Sequence, residues 1–309
     1  MYYFIINPHA SNGKGLKIWA KVQKYLNKTA NAQSYEVFMT EKSGDARRFS
    51  RKLTENSTDH KIITVIGGEG TLNEVVDGSC LDQDNISIAY LPTRLDDGLA
   101  RCFRRKLHFK DQLRNLFHEH EDRVLDYGVL SASGVSRRFV ASSGIGFDAA
   151  VFQDLYGEKC ECVRRKKKIH IGRMTYLKTF LKELQKAKKT RGYIDMDDEV
   201  RHEFNNILFI SAHVHPYEGG YKLGPNADGA DGYLDLCIVS TKYKWRVLWI
   251  MMLSLVGRHS RMTGVHTYRC REAVIHTERP LPVHVDGENI TLMSDVTLRC
   301  VPRKLKVRI

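Results

Sequence analysis

The chain has 309 residues, a length that suits two domains of ordinary size. With 42% hydrophobic and 28% charged residues it reads as globular, which excludes a disordered or fibrous chain. The formal net charge of +13 points to a phosphate-bearing partner: nucleic acid, nucleotide or an anionic membrane.

The first third alternates strand-like and helix-like segments. Tyr2–Ile6 reads as a strand, so the chain opens on the fold and no leader is expected. A glycine-containing turn, His9 to Gly15, follows, and then 16–28 has helical spacing with Ile18, Val22 and Leu26 on one face. A strand is expected at 34–39, a helix at 44–55 and a strand at 61–66. That third strand shows no alternation, as expected when both faces are buried. Gly67-Gly68-Glu69-Gly70 breaks the chain before a helix at 71–80, and 86–91 is the next strand. This order implies a parallel sheet covered by helices.

After about Val124 the texture changes to short alternating segments, at 123–131, 137–142, 192–196, 204–211, 232–239, 268–276, 281–285 and 297–307. Turns rich in Gly, Asp and Asn separate them, which points to an antiparallel sandwich. Helical stretches at 169–189 and 244–256 interrupt it. The expected fold class is therefore α/β plus β: an α/β nucleotide domain over 1–124, then a β-rich domain over 125–309. The most membrane-like stretch, Trp245 to Val256, contains Arg246 and is shorter than the roughly 20 residues that span a bilayer. It reads as a buried helix, with Trp245 and Trp249 in the core.

The charge is concentrated. From Lys159 to Arg191 there are 13 Lys and Arg against 2 Glu, a net of +11, which leaves about +2 for the rest of the chain. The segment is either a solvated basic helix or a dock for anionic lipid headgroups, where each cation contributes about 1 kcal/mol. No nucleic-acid-binding motif accompanies Arg164-Arg165-Lys166-Lys167-Lys168. The seven cysteines form no C-x-x-C pair, so neither a disulfide framework nor a zinc site is expected. His213 and His215 share a strand face, and packing or surface histidines are a better reading for them than metal binding.

The strongest chemical signal is Val65-Ile66-Gly67-Gly68-Glu69-Gly70-Thr71-Leu72-Asn73-Glu74. An apolar strand runs into glycines and then opens a helix. Glycines let backbone N–H groups approach phosphate oxygens, and the helix N-terminus adds partial positive charge. Thr71 can donate its hydroxyl or cap the helix.

This segment resembles the G-G-D-G-T-x-N-E-V motif of diacylglycerol kinases, sphingosine kinases and, in shorter form, NAD kinases. Five more blocks resemble the lipid-kinase family in order. They are Asn7-Pro8 with Gly13 and Gly15; Thr40 to Ala46; Ser143-Gly144-Ile145-Gly146-Phe147-Asp148-Ala149; Gly219-Gly220 through Pro225-Asn226-Ala227 to Asp231-Gly232-Tyr233-Leu234; and Asp286-Gly287-Glu288. The resemblance implies an ATP-dependent kinase that phosphorylates a lipid hydroxyl, with diacylglycerol as the expected substrate. It implies that Asn7, Pro8, Gly13, Thr40, Gly67, Gly68, Glu69, Gly70, Thr71, Asn73 and Thr93 line the nucleotide. Glu288 would be the general base, aided if burial raises its proton affinity, and Glu69 would be the second catalytic acid. Asp228, Asp231 and the carbonyl of Tyr233 would hold a structural Mg²⁺. The site is expected where the two domains meet, and the last strand near Lys304–Ile309 is expected to return to the first domain. Expected partners are ATP and a membrane lipid, with peripheral contact through Lys159–Arg191 from a cytoplasmic location and no nucleic acid. A homodimer is left open.

Two departures from the family pattern bear on activity. Glu69 stands where relatives have Asp, which moves the carboxylate out by one methylene. Where relatives have P-x-G-[ST]-x-N-D-F-A-R, this chain reads Pro92-Thr93-Arg94-Leu95-Asp96-Asp97-Gly98-Leu99-Ala100-Arg101. A glycine and a hydroxyl donor are lost from the cradle, and Arg94 could compensate by pairing with phosphate. The alternative reading is a non-catalytic relative that binds nucleotide or lipid. A third, NAD kinase, shares the glycine motif but lacks the late blocks.

Overall fold

A computed structural model describes residues 1–28, 34–56, 58–82, 85–94, 99–100, 108–117, 122–156, 173–197, 200–218 and 221–308. Leu95 to Gly98, Arg101, the basic residues from Lys159 to Lys168, Gly219-Gly220 and Ile309 lie outside them. The chain forms two compact units, one from residues 1–127 with 301–309 and one from 128–300.

The first unit is a parallel α/β sheet. Its strands are β1 (Tyr2–Ile6), β2 (Tyr35–Met39), β3 (Lys61–Gly67) and β4 (Ile86–Pro92), in the order β2-β1-β3-β4. β3 is buried from Ile62 to Gly67, which explains its unbroken apolar run. Helix α1 (Ala10–Leu26) lays Trp19, Val22 and Leu26 on one sheet face with Phe4 and Ile66. α2 (Asp45–Thr54) and α3 (Glu69–Gly78) pack against each other, with Arg47 paired to Asp77 at 2.7 Å. Helix α4 (Phe109–Phe117), not expected from the sequence, buries Leu113, Leu116 and Phe117. The chain's last residues return to this unit, where Val307 and Arg308 pair in parallel beside Ile88 and Ala89 of β4. Arg308 is 7% exposed and donates to Asp122 from Nε at 2.8 Å.

The second unit is antiparallel. β9 (Val200–His213) and β12 (Glu272–Val285) have 14 residues each, and two short strands lie end to end between them. β8 (Thr190–Met196) pairs the N-terminal half of each, and β7 (Ser142–Gly146) pairs the C-terminal half. β10 (Leu234–Ser240) and β11 (Val265–Cys270) extend the sheet beyond β9, and β13 (Glu288–Arg308) extends it beyond β12. β5 (Asp122–Ala132) and β6 (Val135–Phe139) form a hairpin.

Strand alternation divides two apolar layers. On β10, Leu234, Leu236 and Ile238 enter the inner core, while Cys237 and Val239 face the helical layer. That layer is built by α5 (Phe147–Tyr156), α6 (Arg173–Lys186) and α7 (Trp245–Ser254). α7 corrects a sequence expectation. It buries Val247, Ile250 and Ser254, whereas Trp245 and Trp249 are 57% and 52% exposed. A ten-residue helix whose only charged residue is Arg246 carries more apolar surface than one core-facing side absorbs. His213 and His215 are buried, as packing residues are.

Candidate active site

In an open parallel sheet, ligands bind beyond the C-terminal strand ends, at the point where strand order reverses. In the first unit that point lies between β1 and β3, and hydrogen bonds join the loops there. Asn7 donates from its backbone to Ile66 O at 2.9 Å and from Nδ2 to Thr71 Oγ1 at 3.2 Å. Thr93, after β4, donates its N–H to Gly67 O at 2.9 Å, and its hydroxyl lies 2.9 Å from Ser11 Oγ. Thr40 is buried at the end of β2 and donates to Ile6 O at 2.9 Å.

The local backbone suits a phosphate. Ser11, Asn12 and Gly13 take φ of 49°, 59° and 82°, a left-handed turn that precedes the regular part of α1. Non-glycine residues in that region store strain, and such strain concentrates at ligand clamps. Gly68 is the N-cap of α3, and a Cβ built at Gly68 or Gly70 meets nothing within 4 Å. Space therefore lies in front of the helix N-terminus, as a bound phosphate requires. Asn73 is 1% exposed, and Pro8 begins the turn.

Two acids organise this cradle. Glu69 accepts the N–H of Leu99 at 2.8 Å, the residue that follows the altered 94–98 stretch in sequence. Glu74 accepts the N–H groups of Gly44 and Ala46 at 2.9 and 3.1 Å, tying the 40–46 loop to α3. The sequence reading quoted Glu74 but did not foresee this role.

In the second unit, Asp286-Gly287 turns β12 into β13, with φ of 47° and 80°. Two positive φ values in succession define the tight hairpin turn that Asp-Gly favours. The Asp286 carboxylate accepts three N–H groups, from Val140 at 2.7 Å and from Ala141 and Ser142 at 2.9 Å. Glu288 follows the turn. Arg137 donates to Glu288 Oε2 at 2.6 Å, and the Glu288 side chain is 32% exposed.

Behind the turn lies a polar cluster not foreseen from the sequence. His284 is fully buried, with Nε2 3.1 Å from Glu218 Oε1 and 3.7 Å from Asp148 Oδ2. One candidate ligand atom from each of the three falls within 4.8 Å of the others. The donor set resembles a cation site, but Gly287 donates its N–H to His284 Nδ1 at 3.2 Å. A ring that accepts at Nδ1 carries its proton on Nε2, facing the carboxylates, and that nitrogen has no lone pair for a metal. The Glu218 charge draws His284 toward the imidazolium against the cost of burial. The Gly287 N–H contact at Nδ1 opposes that pull and favours the neutral ring. Burial pushes the Asp148 carboxyl up, toward its protonated form. A small pocket adjoins the cluster, lined by Asp148, Glu218, Phe147, Phe152, Phe180 and Met251. A lone histidine on an apolar strand and a Glu before Gly-Gly carry no signal in sequence, which is why the cluster was missed.

Asp228 and Asp231 lie in the loop before β10, and their partners were also invisible in sequence. Asp228 Oδ1 accepts Ala230 N–H at 3.2 Å, and Asp231 Oδ1 accepts Tyr233 N–H at 3.0 Å. Asp231 Oδ2 is ion-paired to Arg269, whose guanidinium lies 4.8 Å over the Tyr233 ring. A Mg²⁺ here would have to displace that arginine, so the residues as arranged do not fit the ion.

A nucleotide-type cradle in an α/β unit, followed by a β-sandwich unit with an Asp-Gly-Glu hairpin, defines the class. The chain belongs to the diacylglycerol-kinase-like family of lipid kinases: residues 1–129 match the diacylglycerol kinase catalytic domain, and 146–309 match the YegS C-terminal NAD kinase beta sandwich-like domain. It is 29% identical over 300 residues to the Bacillus subtilis protein named "Putative lipid kinase YtlR", covering 93% of each chain. It is 28% identical over 256 residues to a diacylglycerol kinase of Staphylococcus saprophyticus, covering 82% of this chain and 77% of that one. Its fold matches a solved structure described as "a putative diacylglycerol kinase" from Bacillus anthracis, with TM-score 0.74 and 17% identity, covering 99% and 96% of the two chains.

Proposed function

We propose that this protein is an ATP-dependent lipid kinase that converts diacylglycerol to phosphatidic acid. The observation that carries the reading is the cradle at the strand switch point, where Asn7, Thr71, Thr93 and Gly67 are joined by hydrogen bonds in front of the α3 N-terminus. The relatives named diacylglycerol kinase support the substrate.

In this reading ATP supplies the γ-phosphoryl group, the lipid hydroxyl oxygen forms the new P–O bond, and ADP leaves. Backbone N–H groups of 11–13 and 68–71 hold the phosphates, and positioning of that kind is most of what a phosphoryl-transfer site does. Glu288 takes the hydroxyl proton, with Arg137 fixing its carboxylate. Asp286 holds the hairpin that presents Glu288. Mg²⁺ accompanies the nucleotide, and no role is assigned to an ion in the Asp228–Tyr233 loop.

Phosphorylation of diacylglycerol in mixed micelles tests the proposal directly. Activity is expected in the wild type and a loss of at least about 1,000-fold in Glu288→Gln, with ATP binding retained. A second reading, a nucleotide-binding relative without turnover, is favoured by one contact: the Glu69 carboxylate is engaged by Leu99 N–H. ATP binding without phosphorylation of any lipid alcohol would establish it.

A further inference from the structure

The described surface has one concentrated apolar stretch. Tyr243, Trp245, Trp249, Met252, Leu255 and Val256 are 53%, 57%, 52%, 59%, 57% and 64% exposed. Trp245, Trp249 and Met252 stand at i, i+4 and i+7, on one face of α7, while Val247 and Ile250 on the other side enter the helical layer. Scattered apolar residues on a surface need no explanation, but six within residues 243–256 do.

The charge around the stretch indicates its occupant. Between Asp235 and Glu272 the chain has seven Lys and Arg and no acid. Lys242, Arg258 and Arg261 are exposed, and Arg246 lies 5.0 Å over the Tyr243 ring and 5.8 Å over the Trp245 ring. Tryptophan and tyrosine backed by cations, with no carboxylate, match the chemistry of a bilayer interface carrying anionic headgroups. Pairing with a second copy would set this basic stretch against itself, an arrangement that like-charge repulsion opposes.

We infer that the exposed face of α7, with the loops on either side of it, docks this protein on an anionic lipid bilayer. The aromatic and aliphatic side chains enter the headgroup region, and the flanking cations meet the lipid phosphates. In sequence this stretch is separate from the basic segment at 159–191, whose described end touches it: Lys189 Nζ donates to Lys242 O at 2.7 Å. The inference stands on the surface itself and supplies the membrane step that the kinase reading needs.

Vesicles test it. The chain has three tryptophans, and the third, Trp19, is 5% exposed, so a change in emission on adding vesicles reports α7. Wild-type protein is expected to co-sediment with phosphatidylglycerol vesicles, with a blue-shifted emission, and to bind phosphatidylcholine vesicles more weakly. High salt reduces the difference. Trp245→Gln, Trp249→Gln and Met252→Gln combined should weaken binding by about tenfold or more at an unchanged Tm, because apolar burial drives interfacial docking. Phosphorylation of a dispersed short-chain lipid alcohol should be unaffected by that variant. Three results would overturn the inference: no wild-type binding to anionic vesicles, equal binding by the triple variant, or a wild-type dimer that the triple substitution merely dissociates. Docking without any kinase activity would sink the kinase reading and leave this one standing.

Discussion

Gly15 has no room for a methyl group: a Cβ there would sit 2.0 Å from the carbonyl oxygen of Asn7. Gly15→Ala must therefore push the 7–13 turn aside. We expect a loss of about 1–3 kcal/mol in stability by denaturant unfolding, the range for overpacking, together with weaker ATP binding. Gly68→Ala, which meets nothing within 4 Å, is the control for a direct effect on ligand. Asp286 is a second single-residue dependency. Asp286→Ala strips the acceptor from three N–H groups and leaves an alanine at positive φ. Destabilisation of at least about 3 kcal/mol is expected, and a loss under 1 would refute the anchoring role. The buried histidines set a pH dependence. Burial lowers His213 and His215 to about 4, so the native protein keeps both rings neutral. The unfolded chain protonates them near 6.5, so it binds more protons between the two values and stability falls with pH in that window. From pH 6.5 down to 5 each ring accounts for about 1.5 kcal/mol of lost stability. Thermal melts across that range should show the fall, and a flat Tm would contradict it.

At the scale of elements, the 40–46 loop depends on a helix more than on its own residues. Glu74, from α3, holds Gly44 and Ala46, while Asp45 accepts the N–H groups of Glu41 and Lys42 at 2.9 and 3.0 Å. Glu74→Ala releases the loop from the helix. ATP affinity should fall several-fold by calorimetry with a stability cost of about 1–2 kcal/mol, as for one charge-assisted anchor. Unchanged affinity would show that the loop does not shape the nucleotide site. The elements themselves were largely legible. β3 was visible because a strand buried on both faces is written as an uninterrupted apolar run, and α1 because Ile18, Val22 and Leu26 repeat at helical spacing, although Trp19 rather than Ile18 is the buried residue of that turn. α4 was missed because its nine residues are too few for periodicity to stand out. α7 was found but misread, since composition reports how apolar a helix is and not how much of it a neighbour covers.

On the scale of the whole chain, the two units share an unusual dependency: the last residues of the sequence complete the first unit. Val307 and Arg308 pair with β4, Arg308 is ion-paired to Asp122, and Arg303 donates its N–H to Asp126 at 2.7 Å. Deleting residues 301–309 removes a strand paired with β4 and leaves Asp122 and Asp126 without these partners. The first unit should lose cooperative unfolding and ATP binding while the second keeps its β-sheet signal. A truncated protein that still binds ATP normally would refute this. Among the described residues no helix is long and apolar enough to cross a membrane, in line with the short apolar stretch at 245–256. By itself the sequence determined most strands and helices of the first unit, the glycine turn after β3 and the Asp-Gly hairpin, because backbone geometry and periodicity are written in neighbouring residues; the helices at Phe109–Phe117 and Phe147–Tyr156 were not read. Only the tertiary structure decided that Arg269 sits on Asp231, that His284 joins Glu218 and Asp148, and that Trp245 and Trp249 face outward. Those facts depend on which residues, distant in the chain, the fold brings within a few ångströms, and no local pattern encodes that.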